Sequence, residues 1–414
     1  MLPRRNSRLP DTQRHGVSDT APKHRRAKAE GLTAKGGGQG RLRHRRMSNF
    51  RRATRDDNTA LLDLFGTVPM QGDLVLSAQR APDYFGLYTM QRGETEVWVH
   101  GEHGRLDGMG AVHVRDGWLE GRPCRVGYLG DLRTRFSARR NRGLARFYGP
   151  MIEESAQRLG VDTFLTAVMA SNAPALHALV RRRPGRVSQP HYTLLRRFSA
   201  VSIQFLLRRR PRRSAVTVRR ATPADVPAVS ALLDADHRAR PFGYRFDTGE
   251  LEHRLAHWPG LRIEDTYLAF DATGALVGCT TAWNPEAVKR YRVHAYRGGM
   301  RWVRWGWDTL ATALRAPRLP APGSDFRYFY LCNTSVRGED PAVLRALVER
   351  VYADFHGQGF HFFTLYQDEL DPLAPALKGF LQRRLDFHLY AVTPASRPRE
   401  TFPAGRTGFE ICLP

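Results

Sequence analysis

Residues 124–145 read CRVGYLGDLRTRFSARRNRGLA, and the interpretation of the chain turns on this stretch. Residues 124–132 mix aliphatic, aromatic and small side chains as a buried strand does. The pattern breaks after Arg133. Beyond it, Leu144, Phe147, Tyr148, Met151 and Ile152 recur at three- and four-residue spacing, which predicts an amphipathic helix ending near Leu159-Gly160. A helix N-terminus offers unpaired backbone N–H groups and a partial positive charge. Gly143 and Ala145 let an anion approach that backbone closely, and Arg139, Arg140 and Arg142 add charge. The physics points to a cradle for a diphosphate.

Arg140, Gly143 and Ala145 resemble the Arg/Gln-x-x-Gly-x-Gly/Ala loop of the GNAT superfamily of N-acetyltransferases, placed as there between a strand and a helix. The resemblance implies acyl-CoA bound along Leu132, Arg133, Arg135, Arg140, Asn141, Arg142, Gly143, Leu144 and Ala145. It also implies acyl transfer to an amine, with backbone N–H groups of a splayed strand polarising the thioester and a carboxylate or relayed water as base. Asp131 and then Glu96 are the candidate bases. Asn172 opens Asn-x-x-Ala-Leu-x-Ala, which resembles the segment after the fifth strand of the family. Leu179 stands where the family often carries a tyrosine acid, so Tyr128 and Tyr192 are the candidate substitutes.

An internal repeat sets the architecture. FRRATRDD at 50–57 is echoed by VRRATPAD at 218–225, each a short strand leading into a helix. Thr54 and Thr222 are placed to cap, each with an acid three residues on. The expected fold is α+β, layered α/β/α: two tandem GNAT-like domains, each a mixed, mostly antiparallel sheet flanked by helices. Residues 48–200 form the acyl-CoA-binding domain, 201–214 a basic linker and 215–396 the second domain. Residues 397–414 are expected to be an irregular tail. In the first domain, 97–99 and 110–114 read as strands, 163–169 as another, and His191-Tyr192 open its closing strand. In the second, 266–270 and 276–280 form a hairpin, 326–331 a strand, 343–352 a helix and 360–365 a strand. Residues 373–384 read as a late helix and 387–392 as the closing strand. Glu339 and Asp340 stand where its anion cradle should be positive, so this domain is expected to have lost CoA and to shape an acceptor cleft.

The chain has 414 residues, 65 Lys/Arg and 40 Asp/Glu, for a net charge of +25. Residues 1–46 hold 13 basic and 3 acidic residues without apolar periodicity and are expected to be disordered. Met47 is an alternative start of translation. A positive field favours CoA, anionic membrane surfaces or nucleic acid; solubility is the other reading of the same charge. Between the strands of the second domain, residues 291–320 interleave Trp302, Trp305, Trp307 and Leu310 with arginines. This segment reads as a packing helix or lid, or alternatively as an interfacial lipid contact.

Four dispersed cysteines, Cys124, Cys279, Cys332 and Cys412, argue against a zinc site or a disulfide scaffold and fit a reducing compartment. No metal is expected. Residues 163–180 are interrupted by a Ser-Asn-Ala-Pro turn and do not read as a span. The expected location is cytoplasmic, with a membrane-peripheral variant. The expected co-substrate is acetyl-CoA or another acyl-CoA, and the acceptor a small-molecule or peptide amine. Two other readings remain open: transfer from an aminoacyl-tRNA or an acyl carrier protein, and a non-catalytic module that binds an anionic partner.

Overall fold

The repeated motif closes on itself in the same way at both occurrences. Arg51 donates to both oxygens of Asp57 at 2.6 Å, and Arg219 to those of Asp225 at 2.8 and 2.7 Å. The Thr54 and Thr222 amides donate back to the same carboxylates at 2.9 and 2.8 Å, so each strand is locked to the turn that starts its helix. The computed structural model describes residues 50–66, 72–102, 104–135, 142–181, 189–314, 316–403 and 405–413. The basic segment 1–46 and Met47 lie outside them.

In chain order the first half carries β1 (Phe50–Arg52), α1 (Asn58–Gly66), β2 (Leu74–Gln79), α2 (Gly86–Thr89), β3 (Glu94–Glu102), β4 (Arg105–Leu119) and β5 (Arg122–Thr134). There follow α3 (Arg142–Leu159), β6 (Phe164–Met169), α4 (Ala173–Leu179) and β7 (His191–Gln204). The second half carries β8 (Thr217–Arg220), α5 (Val226–Arg238), β9 (Gly243–Tyr244), α6 (Glu250–His257), β10 (Thr266–Phe270), β11 (Leu276–Trp283) and β12 (Arg290–Tyr296). It ends with α7 (Met300–Leu314), β13 (Tyr328–Val336), α8 (Pro341–Phe355), β14 (Phe362–Asp368) and β15 (Gln382–Thr393).

One mixed sheet runs β1-β3-β4-β5-β6-β15-β7-β14-β13-β11-β10-β8, with β9 on β4, and a separate ribbon joins β2 to β12. The β5–β6 and β13–β14 pairs are parallel and the others antiparallel. The order reads alike from either edge, with one exchange. β15, late in the chain, lies beside β6, and β7 lies beside β14. The sequence expectation gave each half its own closing strand; in the structure the two are traded. The boundary expected at residue 200 therefore falls inside β7. The trade leaves no sheet edge between the halves, since β7 and β15 pair with each other along twelve residues of β15.

Alternation along the strands supplies both faces of the sheet. Val97, Val99, Met109 and Ala111 pack on Leu61, Leu64 and Phe65 of α1, while Trp98, Val112, Val114 and Leu129 pack on Tyr148, Met151 and Ile152 of α3. The second half repeats this. Tyr328, Tyr330 and Cys332 face Val229, Leu232 and Leu233 of α5; Phe329 and Leu331 face Val343, Leu347 and Val351 of α8. The α/β/α layering is as expected.

One further expectation needs correction. Residues 373–384 are not a helix: a single turn over Ala374–Leu377 ends at Gly379, whose φ of 79° favours glycine, and β15 then begins. Among the described residues the tail beyond 396 has no regular element, as expected, and it is anchored in the interior. Phe409, Cys412 and Leu413 are buried, and Glu410 accepts from Arg254 at 2.6 Å. Apolar area of that kind is enough to fix an irregular segment.

Candidate functional site

β5 is the strand predicted from residues 124–132, and it is irregular where the chemistry is expected. It pairs with β6 only at Gly127↔Phe164 and Tyr128↔Leu165, and the two strands then part. Gly127 sits at the pivot because a Cβ there would lie 2.2 Å from Cδ1 of the fully buried Phe164 ring. Above the pivot, Thr166 Oγ1 donates to the Leu129 carbonyl at 2.9 Å. On the other side, the β4–β5 register passes from Ala111↔Gly130 to Met109↔Arg133, so Asp131 and Leu132 together face Gly110. This is a β-bulge, and Asp131 takes the left-handed φ of 52° that Asp and Asn tolerate best.

Asp131 is held from three sides. Arg80 donates at 2.5 and 3.2 Å, Tyr84 at 2.8 Å and Tyr88 at 2.5 Å. Burial pushes the carboxyl pKa up, but the charges of Arg80 and Arg133 and the two tyrosine hydroxyls outweigh it, and the net shift is down. Arg80 is itself buried, with its guanidinium 4.6 Å from the Phe65 ring centre. Asp131 is thus a fixed anion that shapes the bulge.

The same construction recurs in β13. Asn333 has φ of 47°, and it and Thr334 together face Thr280. Here a carboxylate from the chain's own tail reaches the bulge, beside a cleft of about 640 Å³, including the part open to solvent, that Cys332, Thr334 and Glu410 help to line. The Asn333 amide donates to Glu410 at 2.8 Å, and Arg254 donates to the Asn333 side chain at 2.5 Å. Among the described residues no carboxylate is placed in this way on the Asp131 amide.

Beneath the β5–β6 pivot lies a cleft of about 420 Å³, including the part open to solvent. Tyr88, His113, Arg115, Tyr128, Tyr244 and Phe409 are among its lining residues. Tyr128 stacks on Phe409 at 5.9 Å, and burial raises the pKa of its hydroxyl. Arg115 lies 3.5 Å over the Tyr244 ring and donates to the Phe242 carbonyl at 2.7 Å, which fixes that wall. His113, across from Tyr128 in the β4–β5 register, is 4% exposed. Its Nδ1 lies 2.8 Å from Thr95 Oγ1, and its Nε2 is buried. Burial, then the charge of Arg115, lowers its pKa to about 4 against a smaller opposing contribution from the Arg92 carbonyl, so the ring is neutral near pH 7.

The other predicted residues are dispersed. Glu96 is buried on the α3 side of the sheet, accepting from Ser155 at 3.1 Å and paired with Arg158. Tyr192 packs edge-on against Tyr390 at 6.0 Å, also on that side. Asn172 caps α4, accepting from the Ala175 amide at 3.1 Å. Leu132 packs against the α3 core, Arg133 lies 4.0 Å over the Phe65 ring, and Arg135 donates to the Leu106 carbonyl at 2.7 Å and pairs with Asp63. Arg140 and Asn141 lie outside the described residues. Arg142, Gly143, Leu144 and Ala145 form the first turn of α3, and their side chains are likewise outside.

Sequence reading missed His113, although its signal was present. Val112 and Val114 flank it in a strict alternation, which aims it at the opposite face. Tyr244 and Phe409 had no such signal, because only the tertiary fold brings them to β5. Among the described residues no cluster of three or more His, Cys, Asp or Glu is placed to hold a metal ion, and no helix is long and apolar enough to cross a membrane.

No protein-family model matches the chain, and no curated protein matches it in sequence. Solved structures do match its fold. Saccharomyces cerevisiae N-myristoyltransferase with bound myristoyl-CoA aligns over 83% of this chain and 78% of that one, at 10% identity and a TM-score of 0.54. A second structure of that enzyme, with myristoyl-CoA and inhibitors, aligns over 83% and 80%, at 11% identity and a TM-score of 0.53. A GCN5-related N-acetyltransferase from Sphaerobacter thermophilus aligns over 87% and 97%, at 13% identity and a TM-score of 0.49. At these identities the N-myristoyltransferase matches establish the fold.

Proposed function

We propose that the chain is an acyl-CoA-dependent N-acyltransferase of the GNAT type, built from two tandem modules of which only the first binds the co-substrate. The observation that carries this reading is the parting of β5 from β6 beside a cleft lined by a neutral histidine. The likeness in fold to an enzyme solved with myristoyl-CoA supports the class of co-substrate. Glu410 on the Asn333 amide supports a second module that does not offer this amide to a thioester.

In this reading the α3 N-terminus, with Gly143 and Ala145 in its first turn, holds the diphosphate of CoA. Arg140, Asn141, Arg142 and Leu144 complete that loop. The co-substrate supplies an activated acyl thioester. Backbone N–H groups of β5 around the bulge at Asp131-Leu132 donate to its carbonyl oxygen and stabilise the charge that develops there. The acceptor amine enters the cleft beside Tyr128. His113 Nε2 takes the amine proton, directly or through a water, as the C–N bond forms and the C–S bond breaks. Tyr128 is the nearest of the predicted acids to return a proton to the thiolate. Asp131 keeps the bulge in shape, and Glu96, Tyr192 and Asn172 support the fold around it.

Acyl-CoA from acetyl to myristoyl should raise the melting temperature of the wild type. At about 100-fold over Kd the gain is about 2.7 kcal/mol, on the order of 5 °C. Gly143→Glu should lose most of it. A carboxylate in the first turn is compatible with the helix dipole, so the fold is retained while the diphosphate is repelled. A wild type unmoved by every chain length would remove the proposal.

A further inference from the structure

The helix α7 turns Arg304 and Asp308 toward the protein and leaves several of its large apolar side chains exposed, unlike an ordinary surface helix. On its inner side Arg304 reaches Asp308 at 3.6 Å and lies over Tyr296 at 5.0 Å. Asp308 accepts from the Leu319 amide at 2.8 Å, Trp307 donates to the Pro317 carbonyl at 2.8 Å, and Ala311 is fully buried. These contacts fix the rotation of the helix. They leave Trp302 at 76%, Trp305 at 69%, Val303 at 52% and Leu310 at 52% exposure. At 100° per residue, Trp302, Trp305, Gly306, Thr309 and Ala313 share one stripe without a charge, in a chain that is 25% charged.

The two indoles alone expose on the order of 300 Å². Val303 and Leu310 bring the patch to the size at which such surfaces are commonly functional. Its surroundings are mainly positive, although the exposed Asp73 lies beside Gly298. Residues 289–327 contain nine Lys/Arg against two Asp/Glu, and Arg297 and Arg301 at the start of the helix are exposed. A second copy of this chain would set these positive charges against each other. A bilayer with anionic headgroups offers what the patch lacks: an interface suited to tryptophan, and negative charge for the flanking arginines.

We propose that α7 is a membrane-surface contact, with Trp302 and Trp305 inserted at the headgroup level of an anionic bilayer and Arg297 and Arg301 on its phosphates. The inference is independent of the acyl-transfer reading, since it uses no residue of the β5–β6 cleft.

The test is flotation of the full chain with vesicles of phosphatidylcholine alone and of phosphatidylcholine with phosphatidylglycerol at about three to one. The wild type should float with the anionic vesicles and much less with the neutral ones. Trp302→Ser/Trp305→Ser should lower the floated fraction about tenfold or more, at an unchanged melting temperature because both side chains are largely in solvent. Arg301→Glu, a second variant, should weaken flotation on anionic vesicles only. Equal flotation of wild type and double variant would assign the binding to the basic N-terminal segment and overturn the proposal. So would absence of flotation, or a wild-type dimer that the double variant converts to monomer.

Discussion

His113→Asn is expected to lower kcat by about 10²- to 10³-fold, the usual worth of a positioned proton acceptor, while acyl-CoA still raises the melting temperature as in the wild type. Asparagine is small enough for the site and can still meet Thr95 Oγ1, so the loss isolates the proton-accepting nitrogen. The pH profile supplies a second readout. The pKa of His113 is lowered to about 4, so its neutral form persists through pH 5 to 8 and the wild-type rate should fall only on an acid limb near that value. The limb should vanish in the variant. Stability follows from the same shift. The folded pKa lies below the unfolded value of about 6.5, so the unfolded chain binds the proton first and stability is lost as pH falls from about 6.5 toward 4. The loss assignable to this group, up to about 3 kcal/mol, is the difference between wild-type and variant curves in urea. An unchanged kcat would return the proton to another group.

The largest expected loss of stability is at Arg80. Arg80→Met removes the cation from beneath Asp131 and leaves a buried carboxylate with the Tyr84 and Tyr88 hydroxyls and the nearby charge of Arg133. Breaking a buried pair from one side costs about 3–5 kcal/mol. Urea unfolding should show it, and Arg80→Met/Asp131→Leu should recover part of the loss, because both charges are then gone. The Asp131 pKa is depressed in the fold, so its contribution is present above its ordinary carboxylate range and is lost as pH falls through the folded value. A single variant as stable as the wild type would show that the bulge does not depend on this pair.

How far the chain could be read from its sequence divides along a physical line. Features set by neighbours in sequence were legible. Residues 124–132 and the helix that ends at Leu159 are β5 and α3, and the repeated capping turns show as Arg51–Asp57 and Arg219–Asp225. Features set by choice of partner were not. The pattern of residues 191–204 says strand, but nothing in it says that residues 382–393 will lie alongside. Asp131 looked available because its counter-charge, Arg80, comes from 51 residues away. The tail is the instructive case. Gly408-Phe-Glu-Ile-Cys-Leu413 is apolar at every position but its glycine and Glu410, yet it follows a Pro/Arg-rich run and reads from the sequence only as an irregular tail. Glu410 there accepts from the Asn333 amide, and Phe409 walls the first cleft.

The central claim is that an acyl-CoA lies in the gap between β5 and β6. A crystal structure with a non-hydrolysable acyl-CoA analogue tests it most directly. The account predicts the diphosphate on the amides of the first turn of α3 and the carbonyl against the Asp131-Leu132 bulge, within reach of His113. Phosphates bound elsewhere, or strands β5 and β6 closed with no analogue between them, would contradict it.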